Sequence, residues 1–233
     1  MKEEFEMSMV GELTYFLGLQ IRQSREASRP DINFSVGACA RYQSNPKESH
    51  LTTVKRIIKY IKGTIEFGIW YSNESNTQLV GFTDADWAGN VDDRKNTSGG
   101  CFYLGSNLVS WLSKKQNSIS LSTAEAEYIV AGSSCAQLLW MKQMLEDYGI
   151  EQQVITLYCN NSSAISITKN PVLHSRTKYI DIRHHFIREL VEDNVVCLEH
   201  VSTGNQIADI LTKALDGNKF EELRHKLGLC TSS

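Results

Sequence analysis

Leu79-Val-Gly-Phe-Thr-Asp-Ala-Asp-Trp-Ala-Gly-Asn90 reads as an apolar run of strand type that ends in carboxylates and then in turn residues. Two β-rich pieces follow, Gly100–Gly105 and Leu108–Ser113, and then Ser120–Ala131, where the apolar period lengthens from two to about 3.6. This pattern predicts a three-stranded meander feeding a long helix. Asp84 then stands at a strand end, and Glu125 or Glu127 stands on the first helical turns. A meander packed on a helix brings those two ends together. Carboxylates from separate elements aimed at one point suit a hard cation such as Mg²⁺.

Length and composition set the limits within which that pattern works. The 233 residues suffice for one core of ordinary size with a smaller appendage. Hydrophobic content of 41% and charged content of 22% are those of a globular protein. A formal charge of −3 argues against strong autonomous binding to nucleic acid, which usually goes with a basic surplus. The six cysteines are scattered with no C-x-x-C pair, which predicts reduced, mostly buried thiols and no zinc site. Met1–Glu6 lacks an apolar signal-like run, and no apolar stretch approaches the roughly 20 residues of a membrane span. A cytoplasmic or nuclear protein, neither secreted nor membrane-embedded, is the expectation.

Outward from the meander, Val10–Ile21 is a mostly apolar segment suited to strands. Asn45-Pro46-Lys47-Glu48 reads as a helix start, with Asn45 as cap and Pro46 at the first helical position. That helix carries Leu51, Val54, Ile58 and Ile61 on one stripe and Lys55, Arg56, Lys59 and Lys62 on polar faces, and Gly63 ends it. Its basic face is expected to be a solvated surface over an ordinary apolar contact. Phe67–Tyr71 is a short strand and Ser72–Gln78 a linker. The long helix is predicted to start at Ser122 and run to about Tyr148, closed by Gly149. Val154–Cys159 and Val195–Val201 are the remaining strands. Asp209 falls on the first turns of a helix after Asn205, and Phe220–Leu227 is a terminal amphipathic helix whose tail, Cys230-Thr-Ser-Ser233, should fray. His184 and His185 are adjacent on a predicted helix and so point about 100° apart, which favours a structural role over a metal site.

Several blocks share one order from about Leu51 onward: Asp84–Gly89, Asp93–Gly99, Trp111–Gln116, Ser122–Tyr128, Ser163–Ile165, Arg176–Phe186 and Ala208–Lys213. Together they make the chain resemble the ribonuclease H domain of copia-type LTR retrotransposon polyproteins. The resemblance implies an α/β ribonuclease H-like fold: a five-stranded mixed sheet with helices on both faces and a small N-terminal appendage. It divides the chain into a truncated reverse-transcriptase remnant (1–27), a connection-like segment (28–76), the ribonuclease H domain (77–216) and a C-terminal helix and tail (217–233). Residues 1–27 are expected to pack loosely and to form no polymerase fold. Residues 24–27 read as a junction where family sequence is missing, by internal deletion or aberrant splicing.

The activity implied is two-metal hydrolysis of the RNA strand of an RNA–DNA hybrid, with two Mg²⁺ ions about 4 Å apart and Mn²⁺ as a substitute. By the same resemblance Asp84 bridges both ions, Asp209 holds the water-activating ion, and Glu127 with residue 160 holds the other. Glu125 is the fallback for Glu127; it stands three residues after Ser122, where a capping-box partner belongs. Position 160 is an aspartate in the family and Asn160 here, so the second ion should be weakened and the activity impaired. Arg94, Lys95, Lys114 and Lys115 are candidate phosphate contacts. The partners implied are the hybrid and, in an intact polyprotein, an upstream reverse-transcriptase domain. The alternative is a non-catalytic relic of the same fold that binds nucleic acid or protein.

Overall fold

The computed structural model describes residues 15–16, 19–20, 29–73, 76–86, 95–117, 120–169 and 181–231, with backbone only for 15–16, 19–20 and 181–185. Two-residue strands β1 (Tyr15–Phe16) and β2 (Leu19–Gln20) pair antiparallel. The expectation for 1–27 otherwise lies outside the described residues. Helices α1 (Pro30–Ala40) and α2 (Glu48–Gly63) and strand β3 (Phe67–Ile69) precede the main sheet. The sheet is built from β4 (Leu79–Asp86), β5 (Thr97–Leu104), β6 (Asn107–Lys115), β7 (Ile155–Cys159) and β8 (Val196–His200), in the order β6-β5-β4-β7-β8.

β4 is central, antiparallel to β5 and parallel to β7, while β5–β6 is antiparallel and β7–β8 parallel. The connections explain this. A two-residue turn at Gly105–Ser106 joins β5 to β6 as a hairpin, whereas the parallel pairs require helical crossovers. The crossovers are α3 (Thr123–Asp147) before β7, then α4 (Ser162–Lys169) and α5 (Asp181–Glu192) before β8. Gly149, at φ +75°, ends α3 as expected of a left-handed C-terminal residue.

One face of the sheet packs Leu79, Phe102, Ile155 and Leu157 against Leu138 of α3 and its neighbours. The other packs Cys101 and Leu108 against Ile210 and Leu211 of a 3₁₀ turn at Ile207–Leu211 and Leu223 of helix α6 (Gly217–Lys226). Burying each such side chain contributes roughly 1.5–3 kcal/mol. With both faces covered, β5 is buried from Thr97 to Tyr103. This is the α/β ribonuclease H-like arrangement expected from the sequence: a five-stranded mixed sheet with helices on both faces.

Four local expectations are corrected. α2 begins at Glu48, after Asn45 and Pro46: the His50 ring stacks on Tyr42 at 4.1 Å and its Nδ1 accepts the Lys47 N–H at 3.0 Å, so His50 supplies the cap. The stripe of α2 is not an ordinary buried contact, because Leu51, Val54 and Ile58 are exposed. Polar contacts and one aromatic contact hold the segment. Arg29 forks onto Asp31 at 2.8 and 2.9 Å, Tyr60 donates to Asp31 at 2.7 Å, and Phe220 of α6 meets the Tyr60 ring edge-on. Third, the tail does not fray from Cys230, since β9 (Leu229–Thr231) pairs antiparallel with β3. Finally, Asp209 lies in a 3₁₀ turn and not an α-helix: Gln206 holds the entry by accepting the Ala208 N–H, and Thr212 N–H closes onto Asp209 C=O at 3.2 Å.

Candidate functional site

Asp84 sits near the carboxyl end of the central strand, where β4 leaves the core, and is almost fully buried. Three elements converge on it. The β7 end brings Asn160, whose Nδ2 donates to Asp84 Oδ1 at 3.2 Å. The 3₁₀ turn brings Thr212, whose hydroxyl donates to Asp84 Oδ2, and Lys213, whose Nζ lies 3.5 Å from Asp84 Oδ2 and 2.9 Å from Asp209 Oδ1. The start of α3 brings Glu127, whose Oε1 accepts the Ala85 N–H at 3.1 Å. Cys159 Sγ lies 3.8 Å from Glu127 Oε2.

The close approach of the turn depends on Gly99, which lies opposite Asp84 in the β4–β5 ladder. A Cβ there would stand 2.5 Å from Thr212 Cγ2 and 3.1 Å from the Ala208 carbonyl. Any side chain at 99 would hold the turn away from the sheet. Gln206, fully buried, donates to the Thr83 carbonyl at 2.9 Å and so staples the same turn to β4. On the opposite side, buried Gln116 donates to the Ala126 carbonyl at 3.1 Å and to Ser98 Oγ at 3.0 Å, tying the end of β6 to the first turns of α3.

Burial dominates the electrostatics. It pushes the Glu127 carboxyl up to about 8, with the Asp84 charge adding to the rise and the Ala85 N–H partly offsetting it. Asp209 is pushed up to about 6, again by burial and then by Asp84, with Lys213 opposing. Asp86 is raised by burial as well, against the opposing charge of Lys213. Burial works to lower the Lys213 ammonium, but Asp84 and Asp209 outweigh it and leave it raised.

The residues expected to form the site are therefore brought together: Asp84 contacts Asn160 directly and Lys213 links it to Asp209, while Glu127 reaches the neighbouring backbone of Ala85. Glu125 turns away as expected, although its Oε2 accepts from Leu121 N–H at 2.6 Å and not from Ser122, while Ser122 Oγ accepts the Glu125 N–H. The site lies among buried groups at the carboxyl end of the central strand, β4 being flanked on both sides. Lys114, exposed, and Lys115 lie on the edge strand β6, paired with Ser98 and Thr97. Lys95 adjoins β5, and Arg94 lies outside the described residues. Gly99, Gln206, Thr212 and Lys213 were not assigned roles from sequence. Thr212 and Lys213 lie in the Ala208–Lys213 stretch, and their spacing from Asp209, three and four residues, is the signal that points to them.

Among the described residues no three His, Cys, Asp or Glu side chains are gathered closely enough to hold one metal ion as they stand. Lys213 lies between Asp84 and Asp209, and Glu127 is turned to a backbone N–H. The oxygen-only donor set nevertheless fits a hard divalent cation, and raised carboxylates are the mark of a site short of positive charge. No helix of the described residues is long and apolar enough to cross a membrane.

No family model matches the chain. Over 222 residues, 95% of this chain, it is 39% identical to the retrovirus-related Pol polyprotein from transposon TNT 1-94 of Nicotiana tabacum, of which it covers 16%. It is 38% identical over 203 residues to the Pol polyprotein from transposon RE1 of Arabidopsis thaliana, covering 87% of this chain and 14% of that one. Among solved structures, LC11-RNase H1 aligns over 63% of this chain and 97% of its own at 13% identity and TM-score 0.43, a likeness too distant to bear on the site. The chain thus spans about a sixth of the length of these two polyproteins, or less, and it belongs to the copia-type retrotransposon Pol polyproteins.

Proposed function

We propose that the chain is the hybrid-cleaving segment of such a polyprotein, built for hydrolysis of the RNA strand of an RNA–DNA hybrid and impaired by Asn160. The observation that carries this reading is the convergence of Asp84, Asn160 and the Asp209–Lys213 turn at the carboxyl ends of the two central parallel strands. Asp84, Glu127 and Asp209 would hold the divalent cations, Mg²⁺ or Mn²⁺. Such ions supply an activated water and stabilise the leaving oxygen.

Each residue's part follows from its contacts. Asp84 presents two oxygens toward different neighbours, which suits it to the bridging position. Asp209 sits on the rigid 3₁₀ turn that Gln206 and Gly99 fix against the sheet. Glu127 is oriented by the Ala85 N–H. Asn160 offers a carbonyl oxygen in place of a carboxylate, and its amide turns N–H toward Asp84 because a carboxylate only accepts. The site thereby loses one negative charge and gains an internal donor to the bridging ligand.

The hybrid would be recognised by its A-form shape and 2′-hydroxyls, with Lys95, Lys114 and Lys115 on the β5–β6 side, and Arg94, as phosphate contacts. We place the ribonuclease unit at 77–216, with 28–76 as a connection-like segment and 217–233 as its C-terminal brace. The pairing of β3 with β9 and the Tyr60–Phe220 contact support that brace. An upstream reverse-transcriptase domain is the partner in an intact polyprotein, acting in the cytoplasm or nucleus.

The test is cleavage of a labelled RNA–DNA hybrid in Mg²⁺ and in Mn²⁺. The unaltered chain should cleave weakly or undetectably in Mg²⁺ and better in Mn²⁺, which tolerates neutral donors. Asn160→Asp should restore Mg²⁺-dependent cleavage. Robust Mg²⁺ cleavage by the unaltered chain, or a folded but inactive Asn160→Asp chain, would overturn this account. The second reading, a non-catalytic binding relic, is favoured by the same Asn160. It predicts hybrid binding without cleavage in both chains.

A further inference from the structure

We infer that Lys213 is a built-in counter-ion that competes with divalent cations for Asp84 and Asp209, and so lowers the affinity of the site for the ion those two carboxylates share. The inference rests on the cation-site reading above, but it concerns a residue to which that reading gives no role.

The geometry is direct. Nζ of Lys213 lies 2.9 Å from Asp209 Oδ1 and 3.5 Å from Asp84 Oδ2, so one ammonium spans the two oxygens a bridging cation would take. The lysine is anchored where it must be. It follows Thr212, whose hydroxyl donates to Asp84, and its own N–H bonds the Asp209 carbonyl at 3.2 Å, so the backbone holds it at the mouth of the site. Its side chain keeps about a third of its exposure (32%), whereas Asp84 and Asp209 are at 2% and 5%. The ammonium therefore has a route outward, and the carboxylates have none.

Charge counting sharpens the point. Asp84, Glu127 and Asp209 carry −3 when all are ionised and Lys213 carries +1, so an entering divalent ion meets −2 at most. A second ion would have to enter against both the first ion and the lysine. Asn160 removes the fourth negative charge that would have offset Lys213. The two features act together: the amide weakens one side of Asp84 and the ammonium occupies the other. A divalent ion entering the site must displace Lys213 from its carboxylates.

The experiment is Mn²⁺ titration of the full chain by calorimetry, with thermal unfolding measured in the metal-free protein. It compares the unaltered chain with Lys213→Met, Lys213→Arg and Asn160→Asp. Lys213→Met removes the charge at similar length. It should unfold at a lower temperature without metal, because the buried carboxylates lose their partner, yet bind Mn²⁺ about tenfold tighter, as expected on removing a like charge a few ångströms from the ion. A merely structural role would weaken both. Lys213→Arg keeps the charge and should leave Mn²⁺ affinity within about twofold of the unaltered chain. Should Lys213→Met fail to fold, the Arg variant still decides: tighter Mn²⁺ binding by Lys213→Arg would overturn the proposal. So would unchanged affinity in a folded Lys213→Met chain while Asn160→Asp binds more tightly, which leaves the cation-site reading standing. Absence of Mn²⁺ binding in every chain, Asn160→Asp included, would overturn both.

Discussion

Asp84 has two flanks, and they handle negative charge differently. On the α3–β7 flank, Glu127 meets a backbone N–H and a thiol, and Asn160 presents a neutral amide. On the 3₁₀ flank, Asp209 meets the ammonium of Lys213 directly. Burial is the leading cause of a raised carboxyl on both flanks, yet Glu127 is pushed to about 8 and Asp209 only to about 6. Lys213 opposes the rise on both, in direct contact with Asp209 but only at a distance from Glu127, for which the Ala85 N–H is the larger opposing group. The flank that carries Asn160 is thus also the one lacking a directly bonded ammonium for its carboxylate.

The largest expected effect removes the residue the two flanks share. Asp84→Asn, placed in the Asn160→Asp background, should reduce Mn²⁺ affinity by more than about 100-fold, since ligand loss exceeds the 10–100-fold typical of groups behind a ligand. Equal retention of affinity would show that the flanks bind cations independently of Asp84.

Gly99→Ala attacks the 3₁₀ flank alone. The added methyl would press on Thr212 and the Ala208 carbonyl, costing about 1–3 kcal/mol and a fall in Tm of roughly 2–4 °C per kcal/mol. Weaker Mn²⁺ binding should accompany it. A stable chain with unaltered binding would mean that the turn can retreat without carrying Asp209 and Lys213 away.

Metal-free stability against pH compares the flanks by titration. Both carboxyls are raised, so the folded chain holds more protons than the unfolded chain between the ordinary carboxylate range and about 8. Stability should therefore fall as pH rises through that window and level off above it. Glu127→Gln should remove the upper part of the fall, near pH 8, and Asp209→Asn the lower part, near pH 6. A profile that is flat from pH 5 to 8 in the unaltered chain would remove the electrostatic distinction. The smallest effect belongs to Glu125→Ala, which loses the acceptor for the Leu121 N–H. It should cost about 1 kcal/mol by thermal unfolding and leave Mn²⁺ binding untouched. Loss of binding would return Glu125 to the site.

The order of strands and the long helix were legible because alternation, helical period and capping residues are local: Ser122 caps α3 and Gly149 ends it on sequence grounds alone. The choice of Glu127 over Glu125 was partly local too, since a capping box engages the residue three after the cap. Other expectations failed for equally physical reasons. The stripe on α2 announced an amphipathic helix but not what would cover it, and Leu51 and Ile58 stay exposed. The turn after Asn205 had helical spacing, but Gln206 and the flat surface at Gly99 wind it as 3₁₀.

What the sequence by itself determined was the periodicity of each element and the placing of Asp84, Glu127, Asn160 and Asp209 at element ends, because these follow from backbone geometry within a few residues. Only the tertiary structure decided that Lys213 lies between two of those carboxylates, that Gly99 gives the turn its room, and that β3 meets β9. Each of these joins residues far apart in the chain, separated by 129 positions for Asp84 and Lys213 and by 113 for Gly99 and Thr212. No local preference encodes such a pairing. It follows from how the two covered faces of one sheet close around its central strand.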